Sequence, residues 1–355
     1  MISGFRRIRR SKILTTALTL AWIISAAPSM ACGFHTYLPE KTAVDLILGS
    51  EHLVIARNSG ASRFTYTPIE VLRGTAPAAK IPQLVDVVSR RKLSANPDDG
   101  VLFAYDAVQN NWSLVAYLTP EYRTFVKMVM GSGSEWGDGY PPERLKLVEP
   151  LQTHPEPALR SLALREIDQA PYALLRTMDL QIPVDTLLVD LWAQNGYAYQ
   201  PIRILLLGLT DEDTARAELY DFINRMKHGD DAQNLGPIST ALVEIDGDEG
   251  ITRLEQTLLS DSTQPLNKIE AVVEALAIHS EFGSAALRST IVDTMTRLVT
   301  LRPDTAPLIA RQFGSRQDWS LARTLEPVVQ NRMLSNTQDF LEVAVYVAQG
   351  RENLK

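Results

Sequence analysis

Residues near the N-terminus, Cys32-Gly33-Phe34-His35, carry the functional groups best suited to binding a metal ion. Cys32 is the single cysteine among the 355 residues of the chain. If a leader peptide is removed before it, Cys32 carries both a free amine and a thiol. These two groups can chelate one metal ion, with the imidazole of His35 close by. We therefore identify Cys32 and His35 as candidate binding residues.

The first 31 residues predict that such a leader exists. A basic head at residues 6–12 precedes an apolar run at residues 13–27, and two small residues, Ser29 and Ala31, stand at the −3 and −1 positions before Cys32. This order is typical of a secretory signal peptide. The apolar run has 15 residues, fewer than the roughly 20 that a membrane-spanning helix needs. An uncleaved membrane anchor is therefore the weaker alternative.

The predicted location is periplasmic or extracellular. A bacterial lipoprotein also begins at a cysteine after a small residue, although its signal usually has Leu where this chain has Ser29. Attachment to a membrane is expected only if Cys32 carries lipid. Because the chain has no second cysteine, an internal disulfide is impossible and the fold must depend on packed cores.

The remaining residue types show no pattern typical of a catalytic site. The sequence has no metal-binding pair of histidines on one helix, no nucleophile elbow and no glycine motif for phosphate or dinucleotide binding. We therefore expect a non-catalytic protein with no cofactor and no metal site of its own. An enzyme remains the alternative, because acidic pairs can be assembled from distant segments. His279 lies in an apolar helical pattern and is interpreted as a packed histidine.

The segment Asp246-Gly247-Asp248-Glu249-Gly250 has acids at the first and third positions of a calcium loop. Position 6 is Ile251 where glycine is needed, and position 12 is Thr257 where glutamate is needed. An inter-helix turn explains the segment better, because its acids favour the N-terminus of the following helix.

Two tyrosines, Tyr197 and Tyr199, fall in a predicted loop between helices. Exposed aromatic residues on such a loop are candidate contacts for a partner. The alternative is that both rings fold back over the core.

The charge balance indicates which partners suit the chain. Its net charge is −7, and removal of residues 1–31 leaves 30 basic and 42 acidic residues, a net charge of −12. Nucleic acid and anionic lipid both require a basic face, so neither is expected as a partner. A basic protein or peptide is the expected partner.

The N-terminal part of the mature chain, residues 32–130, has the composition of a small β-domain. Pro68 interrupts a strand and reverses the parity of its side chains, which predicts a bulge or an edge position. Residues 101–105 and 112–118 predict a hairpin. The pattern predicts a helix at residues 40–48 and strands at residues 53–56, 64–67, 69–72, 84–88, 101–105, 112–118 and 125–130.

Two runs in this region, Phe64-Thr65-Tyr66-Thr67-Pro68-Ile69-Glu70-Val71-Leu72-Arg73-Gly74 and Gly100-Val101-Leu102-Phe103-Ala104-Tyr105, resemble segments of secreted netrin-like, OB-type barrels. The resemblance implies a closed antiparallel barrel. It also implies a metalloprotease inhibitor whose Cys32 docks on the zinc of the partner enzyme. The chain departs from that group because it lacks the cysteines that staple those barrels.

A glycine-rich segment at residues 131–140 is interpreted as a linker, since it is a poor helix or strand former. From residue 141 to residue 355 the apolar residues recur at helical spacing, for example Ile269, Val272, Val273 and Leu276. This half resembles a degenerate HEAT-like array, in which paired helices stack around one continuous core. A helical domain without repeats is the alternative.

These observations predict an α+β multidomain protein in which an OB- or netrin-like antiparallel β-barrel precedes a HEAT-like α-solenoid. The predicted function is that of an exported, non-catalytic protein-binding or scaffold protein. A metalloprotease inhibitor acting through Cys32 and a hydrolase with a site between the two domains are the alternatives.

Overall fold

The computed structural model describes residues 41–58, 64–75, 81–82, 85–96, 99–108, 110–133, 136, 139–191, 193, 199–228 and 232–353. Within these ranges the chain is an α+β protein with a small antiparallel sheet followed by a helical array. The predicted leader, Cys32, His35 and Tyr197 lie outside the described residues.

The sheet contains four full strands and a two-residue edge strand. Their order is β3-β2-β1-β4-β5, and each neighbouring pair is antiparallel. In the described residues β3 and β5 are each paired on one side alone, so the sheet is open. The strands are β1 His52–Asn58, β2 Thr65–Arg73, β3 Ile81–Pro82, β4 Gly100–Asp106 and β5 Asn111–Leu118.

The hairpin and the irregular strand predicted from the sequence are both confirmed. β4 and β5 pair from Gly100 opposite Leu118 to Asp106 opposite Asn111. In the pairing of β1 with β2, Ile55 faces Glu70 and the next residue, Ala56, faces Pro68. Ile69 is therefore skipped, which is the geometry of a bulge.

The strand predicted at residues 125–130 is wrong, because this segment belongs to helix α3, Pro120–Ser132. The hydroxyl of Thr119 accepts a hydrogen bond from the Tyr122 amide at 3.1 Å and caps the helix. Pro120 follows at the first helical position, where its missing N–H costs nothing. The helix buries Tyr122, Phe125, Val126 and Val129.

The strand predicted at residues 84–88 is also wrong. Asp86 accepts a hydrogen bond from the Ser89 amide at 2.9 Å and begins helix α2, Val87–Ala95. The helix predicted at residues 40–48 is confirmed as α1, Ala43–Gly49, which begins with a capping box between Thr42 and Asp45.

The second half of the chain is helical from residue 142 onward. Pro303–Thr305 and Glu149–Leu151 form 3-10 turns, and Glu255–Leu259 forms a π-helical turn. The α-helices are α4 Pro142–Val148, α5 Pro157–Gln169, α6 Tyr172–Leu175, α7 Val184–Leu191, α8 Gln200–Gly208, α9 Asp213–Met226, α10 Leu235–Asp246, α11 Asp248–Leu254, α12 Leu266–Phe282, α13 Ala285–Leu301, α14 Ala306–Ser315, α15 Ala322–Gln330 and α16 Thr337–Asn353.

Alternate helices of this half pack side by side. α10 lies between α8 and α12, and α14 lies between α12 and α16. Helices α11, α13 and α15 contact one another in the same order. Helices α8 and α10 approach closely, since a Cβ added to Gly208 would lie 2.5 Å from the Cα of Ala241.

The apolar stripe predicted in α12 is confirmed, since Ile269, Val272, Val273 and Leu276 are fully buried. The following helix, α13, is capped as predicted by Ser284, whose hydroxyl accepts from the Leu287 amide at 3.2 Å.

The two faces of the sheet belong to different cores. Leu53 and Ile55 of β1 point into the main core, which also contains residues of the helical half as far as Val347. Val54 and Ala56 point to the opposite face because side chains alternate along a strand. There they join a second core of eight buried residues that α2 covers.

The glycine-rich segment contributes to the main core. Gly131 and Ser132 end α3, and Trp136 is 7% exposed and packs into the main core. The boundaries predicted at residues 32–130, 131–140 and 141–355 remain predictions.

Candidate functional site

A groove between α14 and α16 exposes large apolar side chains to solvent, and we refer to it as the C-terminal groove. Its volume is about 650 Å³. Leu341 and Val345 line it and are 56% and 55% exposed. They stand one helical turn apart and therefore share one face of α16. The opposite face buries Val343 and Val347 in the main core.

The floor of the C-terminal groove is held by aromatic packing. The rings of Trp319 and Tyr346 lie 5.2 Å apart, and the Tyr346 hydroxyl donates to the Asp318 carbonyl at 2.6 Å. Gly314 leaves room for this ring, because a Cβ there would lie 3.2 Å from Tyr346 Cδ2. The floor is therefore fixed while Leu341 and Val345 remain uncovered among the described residues.

The rim of the C-terminal groove carries a charge network. Arg311 of α14 donates from Nη1 to Glu270 at 2.5 Å and from Nε to Glu342 at 3.0 Å. Arg311 and Glu342 line the groove itself. Together with Glu270, which binds the same guanidinium, these three side chains carry a net charge of −1. An apolar groove with an acidic rim suits an amphipathic segment that carries basic residues beside its apolar face.

Of the four candidate binding residues, the structure describes Tyr199 alone. Tyr199 is half-buried, occupies the N-cap position before α8 and packs against the main core. The guanidinium of Arg165 lies 6.0 Å from the centre of its ring. This position matches the alternative in which the ring folds back over the core. The roles predicted for Cys32, His35 and Tyr197 fall on residues outside the description and remain predictions.

A second cleft, of about 520 Å³, lies where β5, α2 and α5 meet. Lys92, Glu156 and Arg165 line it with charges of both signs. Glu156 accepts from the Thr119 hydroxyl at 2.6 Å through Oε2, while Oε1 is buried with no hydrogen-bond partner in the described chain. No histidine is found among the described residues that line the cleft.

A buried ionic network connects the first helix with the helical half. Arg144 of α4 donates to Glu166 of α5 at 2.8 Å and to Asp45 of α1 at 2.7 Å. The same guanidinium lies 4.7 Å from the centre of the Tyr140 ring. Glu166 is fully buried, and burial raises its pKa although the charge of Arg144 opposes the change. These contacts satisfy Arg144 internally, so we assign the network to stability.

The packed interpretation of His279 is confirmed. The side chain is 2% exposed, and its Nε2 lies 2.9 Å from the Thr240 carbonyl oxygen. Burial lowers the pKa of His279. Its neighbour Glu244 accepts from the Tyr172 hydroxyl at 2.8 Å and from Arg176 at 2.8 Å. This histidine therefore has no solvent-facing position from which to act as a base.

The inter-helix turn predicted at Asp246 is confirmed. Gly247 adopts a φ of +56° between α10 and α11, and Asp246 accepts from Arg216 at 2.7 Å. Throughout the part of the chain that the structure describes, no three His, Cys, Asp or Glu side chains converge as metal ligands.

No protein-family model matches the sequence, and no curated protein or solved structure matches it at a significant level. Within the described ranges, no helix has both the length and the apolar character needed to span a bilayer.

Proposed function

We propose that this chain is a non-catalytic binding protein whose helical half holds an amphipathic helical segment of a basic partner. The observation that carries the proposal is the pair Leu341 and Val345, each more than half exposed over a groove with an ordered aromatic floor. Exposed apolar side chains that share a groove are typical of interaction sites.

The chemistry of the partner follows from the groove. Side chains at i and i+4 of a helix form one apolar stripe, and such a stripe can cover Leu341, Val345 and the edge of Trp319. Lysine or arginine residues beside the stripe would meet Glu270 and Glu342 on the rim. The net charge of the whole chain, −7, favours the same partner class through long-range attraction.

We further infer that the helical half is a HEAT-like array. The order of contacts supports this inference: α8, α10, α12, α14 and α16 form one row, and α11, α13 and α15 form a second. In such an array each helix pair contacts its neighbours, and a broad surface is left for a partner. The OB- or netrin-like closure of the sheet remains a proposal based on the sequence resemblance.

The same proposal includes export, which the leader pattern of residues 1–31 supports. Inhibition of a metalloprotease through Cys32 is the alternative, and loss of inhibition in Cys32→Ser would support it. A hydrolase using the cleft beside Glu156 is the other alternative.

The direct test measures binding of a labelled designed peptide in which Leu repeats at i, i+3, i+4 and i+7 and Lys fills the other positions. Fluorescence anisotropy gives the dissociation constant for the wild-type chain and for Leu341→Asp. We expect the variant to bind at least about tenfold more weakly, since it loses the burial of one leucine and gains a negative charge in the groove.

The matched control is Val189→Asp on α7, which changes a side chain that is 74% exposed and distant in sequence from the groove. It should bind the peptide as the wild type does. Equal affinity of the wild type and Leu341→Asp would overturn the proposal. A second copy of the chain is the other occupant to test. Analytical sedimentation without peptide measures whether the wild type and Leu341→Asp form dimers. A wild-type dimer that is lost in Leu341→Asp would assign the groove to a second copy and would also count against the proposal.

A further inference from the structure

A separate cavity lies against the sheet, on the face that helix α2 covers, and we refer to it as the sheet-face pocket. Its volume is about 730 Å³, within the range of small-molecule sites. The described residues that line it are Asn58, Tyr66, Val87, Arg90, Arg91, Leu93 and Ser94. This composition combines two guanidinium groups, three neutral polar side chains and an apolar rim.

The hydroxyl of Tyr66 is the most unusual group in the sheet-face pocket. Tyr66 is fully buried, and its ring packs 5.3 Å from the ring of Phe103. Its hydroxyl is buried and has no well-formed hydrogen bond within the described chain. Burial raises the pKa of the Tyr66 hydroxyl, and a contact with the Asn58 side chain lowers it. That contact falls short of the geometry of a full hydrogen bond. A buried hydroxyl without a partner costs free energy, and a bound acceptor would remove that cost.

Arg90 presents a second unsatisfied donor to the same cavity. Its Nε is buried and donates to no acceptor in the described ranges. Arg90 and Tyr66 both line the cavity. The positive charge of Arg90 opposes the rise that burial causes in the pKa of the Tyr66 hydroxyl. Arg91 lines the cavity beside it and is exposed.

One acid, Asp86, also acts electrostatically on the Tyr66 hydroxyl, and its negative charge adds to the rise in pKa that burial causes. Asp86 accepts the Ser89 amide at 2.9 Å as the cap of α2. The lining itself contains two positive charges and no carboxylate among its described members. Arginine forks and hydroxyl donors are the groups that proteins use to bind carboxylate or phosphate oxygens. The half-buried Leu93 and the exposed Val87 provide an apolar contact for the rest of such a ligand.

We propose that the sheet-face pocket binds a small organic oxyanion, in which a carboxylate or phosphate group accepts from Tyr66 and Arg90 and an apolar body lies against Leu93 and Val87. This site is independent of the C-terminal groove. It adds a small-molecule ligand to a protein whose other surface binds a macromolecule.

The experiment is isothermal titration of the full chain with phenyl phosphate, benzoate and the uncharged analogue benzyl alcohol. Both anions should bind while benzyl alcohol does not. Tighter binding of phenyl phosphate identifies a phosphate ester as the ligand class, and tighter binding of benzoate identifies a carboxylate.

Variants test the two donors. Arg90→Gln should weaken anion binding by about tenfold or more, and Tyr66→Phe by about fivefold, as expected for loss of a charged and a neutral hydrogen bond. The matched control is Lys92→Gln, which removes a positive charge from the same helix but faces the other cleft. It should leave the affinity unchanged.

Circular dichroism and thermal unfolding verify that each variant is folded. Tyr66→Phe keeps the ring that packs on Phe103. The proposal is overturned if neither anion binds, if benzyl alcohol binds as well as benzoate, or if Arg90→Gln and Lys92→Gln have the same affinity.

Discussion

Glu274 of α12 provides a quantitative test of the packing between α12 and α14. Its side chain is 19% exposed. Burial raises the pKa of Glu274 to about 7; Arg316, 4.0 Å away, opposes the rise, and the negative charge of Glu270 adds to it. The carboxyl is therefore held in an environment that favours its protonated form.

The sign and size of the effect follow from this pKa. In the unfolded chain the group titrates near 4.5, so at intermediate pH the folded state binds more protons than the unfolded state. The free energy of unfolding therefore falls as pH rises from 4.5 through about 7. The shift corresponds to at most about 3 kcal/mol of stability, present at low pH and lost above the folded-state pKa.

Glu274→Gln replaces the carboxyl with an amide that is neutral at every pH. Urea unfolding monitored by circular dichroism should give the variant and the wild type similar stability near pH 5, with the variant more stable by about 1–3 kcal/mol near pH 8. The matched control is Glu352→Gln, which changes an exposed carboxylate at the end of α16. Its stability difference from the wild type should not depend strongly on pH.

A variant Glu274→Gln that is less stable than the wild type near pH 8 would refute this reasoning. That result would mean that Arg316 holds Glu274 in its ionised form and that the attraction exceeds the cost of burial. A difference that is constant across the pH range would refute it equally.

Two further predictions concern packing. Arg144→Ala should lower the free energy of unfolding by about 3–5 kcal/mol, because Glu166 stays buried without its partner. The double variant Arg144→Met with Glu166→Met should recover most of that loss, because it removes both charges. Urea unfolding measures the stability of both variants. Gly208→Ala should destabilise the chain by about 1–3 kcal/mol because its Cβ would meet the backbone of Ala241. Gly131→Ala in α3, where nothing lies within 4 Å of the new Cβ, should instead be neutral or slightly stabilising by thermal unfolding.

The helices of the second half were predictable because each one buries a stripe of apolar residues. These residues recur along the sequence at the spacing of a helical turn. Ile269 and Leu276 were therefore predicted to be buried from their spacing, and both are fully buried in the core. The two wrong strands share one cause. Short apolar runs such as residues 125–130 fit either a strand or a helix. The residue that distinguishes the two is a helix N-cap that precedes the run. Thr119 and Asp86 both have the side chain and position of an N-cap.

The candidate sites were not predictable in the same way. Tyr66 and Arg90 are distant in sequence, and they meet because α2 crosses the face of the sheet on which Tyr66 points. Leu341 and Val345 fit an ordinary apolar stripe, and the sequence does not indicate that α16 leaves this side uncovered. A groove forms where no other element packs against a helix face. Which face stays uncovered depends on how the helices are arranged in space, and the sequence pattern of one helix does not show it.

The division of the sheet between two cores has a consequence for local motion. The core beneath α2 contains eight buried residues, whereas the other face of the sheet shares the large core of the helical half. Partial opening of α2 therefore requires no loss of the larger core, and hydrogen exchange should be faster for the amides of α2 than for those of α10 or α12. An occupant of the sheet-face pocket that contacts Arg90 and Leu93 would slow this exchange once bound.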